Sequence, residues 1–293
     1  MRFLHQYSAD YDVVLVHGIP FSTAVWATRA AKHCGTPVVL LPHFHLDDRY
    51  YHWRCFYDAF RAADLVLASS DLAKKWLFDP LGARAISIPG GAVHMDEFSD
   101  LDSKRRRFRE VYRKTRPFVL VLGRKTAAKH YRKVIEAAML LNATGVMIDV
   151  VLIGPDEDNV PVAEPFATYL GPQPREIVLG ALASCLCVAS MSESESFGIV
   201  LVEAWMCRRP VLANRNCLAF SGLIEEGKDG LLCRDIEELA AGIRLVAERP
   251  ELASNYGDAG YQKATAKYTW THLVDEILPE LLTLKRVTNA PSA

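Results

Sequence analysis

Short apolar runs alternate with amphipathic stretches along nearly the whole of this 293-residue chain, and that alternation narrows the available folds more than any other feature. A run of buried-type residues bounded by turns, then a helical pattern, then another run, describes parallel βα units whose strands are covered on both faces. Strands are expected at Val13–His17, Val38–Leu41, Leu65–Ala68, Ala85–Ile88, Phe118–Leu122, Ile148–Ile153, Cys185–Ala189, Pro210–Ala213 and Gly230–Leu232. Helices are expected at Ser22–His33, Tyr50–Ala62, Asp71–Leu77, Arg132–Leu141, Pro174–Leu182 and Asp235–Ala247. No internal repeat or low-complexity tract interrupts the pattern.

The length suits two domains. Composition shifts at Leu101–Arg116, LDSKRRRFREVYRKTR, which holds eight cations and two anions between two runs of strands and therefore reads as the link between domains. A solvated helix accounts for its charge. A basic face lying on anionic lipid through residues 104–116, helped by Phe108, Val111 and Tyr112, is the sharper alternative. A net charge of −1 implies no general attraction to nucleic acid. Seven cysteines without a C-x-x-C pair fit a reducing, cytoplasmic setting. No apolar run approaches the roughly 20 residues of a membrane span, and the first residues lack a signal-peptide core.

Two patches carry chemistry. Ser190–Pro210, SMSESESFGIVLVEAWMCRRP, places Glu195 in a polar loop and Glu203 inside a helical stretch from about Gly198 to Cys207, before the strand at Pro210. In a strand–loop–helix–strand unit, ligands sit beyond the carboxyl ends of the strands, and the free N–H groups of the helix start suit a phosphate. Two carboxylates there can hold hydroxyls on either side of that phosphate. The second patch is the strand Val119–Leu122 running into Gly123-Arg124, with Lys129 five residues on. Solvated loop cations are the plain alternative for Arg124 and Lys129, and Lys125, Arg132 and Lys133 stand close by. His43, in Pro42-His43-Phe44-His45, fits a surface loop or turn; with Asp47 and Asp48 it lacks the third ligand of a zinc site. Asp156-Glu157-Asp158 reads as a solvated loop.

The first patch resembles the retaining glycosyltransferases of family 4, which have the GT-B fold. Their signature E-x-F-G-x-x-x-x-E-A stands here as Glu195-Ser196-Phe197-Gly198 followed by Glu203-Ala204. The resemblance extends over nearly the whole chain, through Asp12–Gly18, Pro37–His43, Ala63–Ser70, Ile88–Phe98, Val150–Gly154, Leu170–Gly171 and Tyr268–Trp270. It implies an α/β, GT-B architecture of two Rossmann-like domains facing a cleft. Residues 1–100 would form a shortened acceptor-side domain, 101–266 the nucleotide-sugar domain, and 267–293 a helix crossing back to the first.

The resemblance also implies roles. Arg124 and Lys129 would hold the donor diphosphate, where fixed cations stabilise the charge that grows as the glycosidic bond breaks. Glu203 would accept hydrogen bonds from ribose hydroxyls. Glu195 and His43 would contact the transferred sugar, and the backbone of Phe197, Gly198 and Ile199 would lie near the phosphates. The reaction needs neither metal nor cofactor, and retention is thought to need no protein nucleophile. The function expected is thus transfer of a hexose-type sugar, with a UDP-sugar favoured, to an acceptor that the sequence does not reveal.

The chain departs from the family in three places. About three N-terminal βα units and their Gly-rich loop have no counterpart, which raises a second reading: a non-catalytic nucleotide-sugar-binding subunit completed by a partner chain. It also exposes strand Val13–His17 as a sheet edge open to self-association or a partner. Arg208 stands where relatives have Gly, and Gly222 where they tend to carry Glu. A peripheral site at the inner membrane face is the localisation that the basic segment would add.

Overall fold

The computed structural model describes residues 2–284. It resolves into two compact units, one joining the residues up to Gly91 with those from Trp270 onward, the other spanning Ala92–Thr269. The division therefore falls before the basic segment, and the linking role expected for residues 101–116 gives way to a packed helix. Of the helix expected over 267–293, residues 285–293 lie outside the described residues.

The first unit is a parallel sheet ordered β1-β2-β3-β4: Val14–His17, Val38–Leu41, Leu65–Ala68 and Ala85–Ser87. Val38, Val39, Leu40 and all of β3 are buried, as uninterrupted apolar runs require. Among the described residues β1 pairs with β2 alone, from Val14↔Val38 to His17↔Leu41, so it forms an edge there. Its apolar run is not covered on both faces as expected: Val16 is buried, whereas Leu15 is 49% exposed. Helices α1 (Arg2–Tyr7), α2 (Ser22–His33), α3 (Arg54–Ala62) and α4 (Asp71–Ala73), the last continued by a wide π turn over Lys74–Phe78, belong to this unit. Phe44, Phe56, Phe60 and Phe78 fill its core with mostly edge-to-face rings.

The second unit contains α5 (Leu101–Tyr112) near its start. Phe108 is fully buried and Tyr112 packs against the same core, leaving Val111 the exposed one of the three apolar residues. The basic segment is thus one face of a docked helix. Its partner α7 (Arg175–Ser184) approaches so closely that a Cβ at Gly180 would lie 2.4 Å from the Lys104 carbonyl oxygen.

The sheet of this unit is parallel and ordered β10-β9-β8-β5-β6-β7: Gly230–Cys233, Val211–Asn214, Cys187–Ser190, Phe118–Leu122, Asp149–Ile153 and Ala167–Tyr169. Two apolar layers cover its faces, one around Trp205, Phe118 and Phe220, the other around Val134, Ile135 and Ile243. The covering helices are α6 (Tyr131–Ala143), α7, α8 (Ile199–Met206), α9 (Leu218–Leu223), α10 (Ile236–Glu248) and α11 (Pro250–Lys267); α12 (Trp270–Leu284) belongs to the first unit. β7 is short and half-buried at the edge, which is why no apolar run announces it.

Strand order determines where a ligand can enter this sheet. The chain runs outward from β5 to β6 and β7, then returns to place β8 on the other side of β5. The direction of winding reverses between β5 and β8, and the crevice outside their carboxyl ends is where open α/β sheets bind ligands.

Candidate active site

Arg124, Lys129, Glu195 and Glu203 emerge at or beside that crevice. After β5 the chain turns through Gly123, which holds a φ of 133° that side chains resist, and runs close to the loop after β6. A Cβ on Gly154 would lie 1.9 Å from the Gly123 carbonyl oxygen, so glycine is required at the contact. Arg124 then projects outward, its side chain 61% exposed, with Glu157 at 3.2 Å. Lys129 closes a short 3-10 turn over Ala127–Lys129 and donates to the Glu195 carboxylate. The sequence distance between these two residues is bridged because β5 and β8 are neighbours.

The loop after β8 is held from beneath. Asn214, buried at the end of β9, donates its amide to the carbonyls of Met191 and Ser192 at 3.3 and 3.2 Å. Glu193 at the loop's outer side pairs with His130 at 3.2 Å and Lys133 at 3.3 Å. The side chain of Phe197 is core, packed edge-on to Tyr268 at 5.3 Å, so this position offers a ligand its backbone. Gly198 sits at φ 104°, and a Cβ there would meet the Phe220 ring at 2.8 Å. Helix α8 starts at Ile199, which is exposed, and its free N–H groups face the crevice end of the sheet.

Glu203, in the second turn of α8, is mostly buried with its side chain 13% exposed. Burial raises its pKa, although Arg175 at 2.6 Å opposes that rise. Arg175 also holds Glu97 at 2.8 Å and lies over the Phe98 ring. Neither Arg175 nor Glu97 is legible as a site residue in the sequence; the one clue is an arginine at the start of a helix, where the dipole does not favour it. A cavity of about 300 Å³ opens beside this pair, lined by Leu122, Gly123, Gly154, Pro172, Gln173 and Glu203 among others. Its lining is mainly apolar, with Gln173, Arg175 and Glu203 as the polar side chains.

The remaining candidate, His43, belongs to the first unit. It follows β2 at φ 48°, and its Nε2 lies 3.3 Å from Nδ1 of His17, the last residue of β1. Burial, with His17 and His45 beside it, lowers its pKa and favours the neutral ring. Among the described residues no cluster of His, Cys, Asp or Glu could hold a metal ion. No helix of the described residues is long and apolar enough to cross a membrane.

One expectation is corrected by these contacts, and one departure from the family is explained. Asp156-Glu157-Asp158 is not a solvated loop: Asp156 and Asp158 close on Lys125, which is 3% exposed. Arg208 adopts φ 54°, which accounts for the glycine preferred there. Its side chain pairs with Asp258 and stacks at 3.9 Å over Tyr261.

Comparison with known proteins bears on the family and the fold. The model of the family described as glycosyl transferases group 1 matches residues 102–263. The chain is 28% identical over 238 residues to an alpha-D-kanosaminyltransferase of Streptomyces kanamyceticus, covering 75% of this chain and 60% of that protein. It is 30% identical over 225 residues to a phosphatidyl-myo-inositol mannosyltransferase of Mycolicibacterium smegmatis, covering 72% of this chain and 55% of that one. The chain thus spans little more than half the length of these curated relatives. The crystal structure of Anabaena HepE in complex with UDP-glucose superposes with a TM-score of 0.81 at 21% identity, over 96% of this chain and 81% of that one. The fold is GT-B, and the chain belongs to the group 1 glycosyl transferase family.

Proposed function

We propose that this protein is a retaining glycosyltransferase that takes its sugar from a nucleotide-sugar donor, with UDP the favoured nucleotide. One observation carries the reading: two cations and two carboxylates, Arg124, Lys129, Glu195 and Glu203, converge at the β5/β8 reversal beside a nucleoside-sized cavity. The base enters that cavity, and Glu203 accepts the ribose hydroxyls. Arg124 and Lys129 exchange their carboxylate partners for the diphosphate and stabilise it as the leaving group. The backbone N–H groups of Gly198 and Ile199 add to the same charge. Glu195, released from Lys129, turns to the hydroxyls of the transferred sugar; for His43, a neutral ring in the first unit, the sugar-contacting role rests on the family resemblance alone. No side chain is assigned as nucleophile; the bond from the anomeric carbon to the diphosphate oxygen breaks as the acceptor hydroxyl attacks on the same face, and its proton passes to the departing phosphate oxygen. The complexes of HepE with UDP and with UDP-glucose support the choice of base.

The test is a donor-hydrolysis and binding assay with UDP-, GDP- and ADP-sugars on the purified chain. Saturable binding and slow hydrolysis of a UDP-sugar are expected. Binding of none of the three would end the reading.

The open edge of β1 favours a second reading, a nucleotide-sugar-binding subunit whose sheet another chain completes. Unpaired N–H and C=O groups along Val14–His17 and the half-exposed Leu15 invite pairing. Concentration-dependent association in sedimentation, abolished by Leu15→Lys, is the expected outcome. A monomer at high concentration, with the β1 amides exchanging fast, would exclude self-association through this edge.

A further inference from the structure

Lys125 is adjacent in sequence to Arg124 but points the opposite way. Arg124 is exposed, whereas the Lys125 side chain is 2% exposed and lies between the β5 and β6 loops. Its ammonium meets Asp156 at 2.7 Å, Asp158, and the Val160 carbonyl at 2.9 Å. The rings of Tyr131 and Tyr169 stand on either flank, each centred 5.4 Å from Nζ. Three donor hydrogens thus have three oxygen acceptors, and aromatic faces shield the charge from water.

A buried lysine is costly unless it is paired and fully hydrogen-bonded, so this arrangement demands an account. Backbone bonds zip the same two loops together: Lys125 N–H donates to Pro155 O at 2.8 Å, and Glu157 N–H donates to Lys125 O at 3.1 Å. Tyr169 adds its hydroxyl to Gly154 O at 2.7 Å. Asp158 accepts from the Val160 N–H at 3.0 Å, which shapes its own loop around the ammonium. Burial by itself would raise the Asp158 pKa, but the bonds from Lys125, Val160 and Tyr131 hold it down at about 2.

The consequence falls on the neighbours. Arg124 precedes the buried residue directly, and Lys129 ends the turn that comes after it. Arg124 stands just past the end of β5 and Lys129 in the 3-10 turn before α6, and the segment that Lys125 pins carries both.

We infer that Lys125 is a positioning residue of the nucleotide site, fixing the Gly123–Lys129 turn so that Arg124 and Lys129 present their charges to a diphosphate. Asp156 and Asp158 are its counter-charges rather than metal ligands, because the ammonium fills the space between them. The inference rests on the nucleotide reading, and it concerns phosphate recognition alone. The base and ribose rely on Gln173 and Glu203, which lie outside the pinned turn, although the cavity wall also includes Gly123 of that turn.

The experiment compares uridine with UDP by calorimetry on the full chain, wild type beside Lys125→Met and Asp158→Asn. UDP affinity should fall about five- to twentyfold in both variants, since misplacement by about 1 Å can cost as much as a hundredfold. Uridine affinity should stay within about twofold of wild type, a split that general loosening of the fold would not produce. Lys125→Met leaves two carboxylates without their partner and can fail to fold; Asp158→Asn keeps the shape and then decides. Unchanged UDP affinity in a folded variant, or equal losses for uridine and UDP, would overturn the inference. Absence of UDP binding in the wild type would overturn the nucleotide reading instead, and the inference with it.

Discussion

The carboxyl ends of the two sheets are built in opposite ways. In the second unit they present full charges, each already matched: Arg124 with Glu157, Lys129 with Glu195, Arg175 with Glu203. In the first unit the ends of β1 and β2 present two imidazoles, His17 and His43, with ring centroids 5.0 Å apart and the His43 charge suppressed. The same βα architecture therefore makes one surface of paired charges, which on the proposed reading exchange for an anionic ligand, and another that offers His43 as a neutral hydrogen-bonding ring. A diphosphate needs the first; an uncharged sugar is suited by the second.

Substitutions can break that contrast. The largest loss is expected for Glu195→Gln, which should slow transfer or donor hydrolysis about a hundredfold, the scale for one group acting on the reacting centre. Its UDP affinity should stay within about fivefold of wild type; a parallel loss of affinity would show that Glu195 serves the nucleotide. Next comes Glu203→Gln, expected to weaken uridine binding by about 1.5–3 kcal/mol as a charged acceptor is lost. Because burial raises the Glu203 pKa, wild-type uridine affinity should decline as pH falls before ordinary carboxylates titrate. The Gln variant should show no such decline, and identical pH profiles would remove Glu203 from the ribose.

The histidine end should behave differently. His43→Asn is expected to leave UDP affinity unchanged and to lower turnover about tenfold, on the scale of one neutral hydrogen bond. The His43 pKa lies below its ordinary 6.5, so turnover should hold steady through that range and fall only on further acidification. A loss of turnover centred at 6.5 would contradict the neutral-ring assignment. The smallest effect belongs to Glu157→Gln. This exposed pair is worth at most about 1 kcal/mol, so freeing Arg124 should tighten UDP binding by no more than about fivefold. Weaker binding in that variant would mean that Glu157 supports Arg124 rather than competing with the ligand.

How much of this is legible in the sequence depends on burial. β2, β3 and β5 are apolar throughout because both faces are covered, and their bounds can be read to the residue. β7, half-buried and only Ala167–Tyr169, gives no apolar run. The cationic content of α5 conceals a helix that hides Phe108, since its basic face and its core stripe coexist on one element. Glu195 and Glu203 are readable from their motif, and Arg124 and Lys129 from their strand. Lys125 and Arg175 are not, because nothing local tells a buried lysine from a solvated one. Their environment comes from loops some thirty residues away, joined by strand order. The glycine that the family prefers at the position of Arg208 has a reason invisible without a φ angle.

The central claim is that the charged end of the second sheet is a diphosphate clamp. Its most direct test is a calorimetric titration of UDP into the wild-type chain and into Arg124→Ala and Lys129→Ala. Both residues are loop-borne and at least partly exposed, so the variants should fold. Each should bind UDP more weakly by about 1.5–3 kcal/mol, the value of a charged hydrogen bond, while uridine binds as before. Wild-type affinity for UDP retained in both variants would contradict the account.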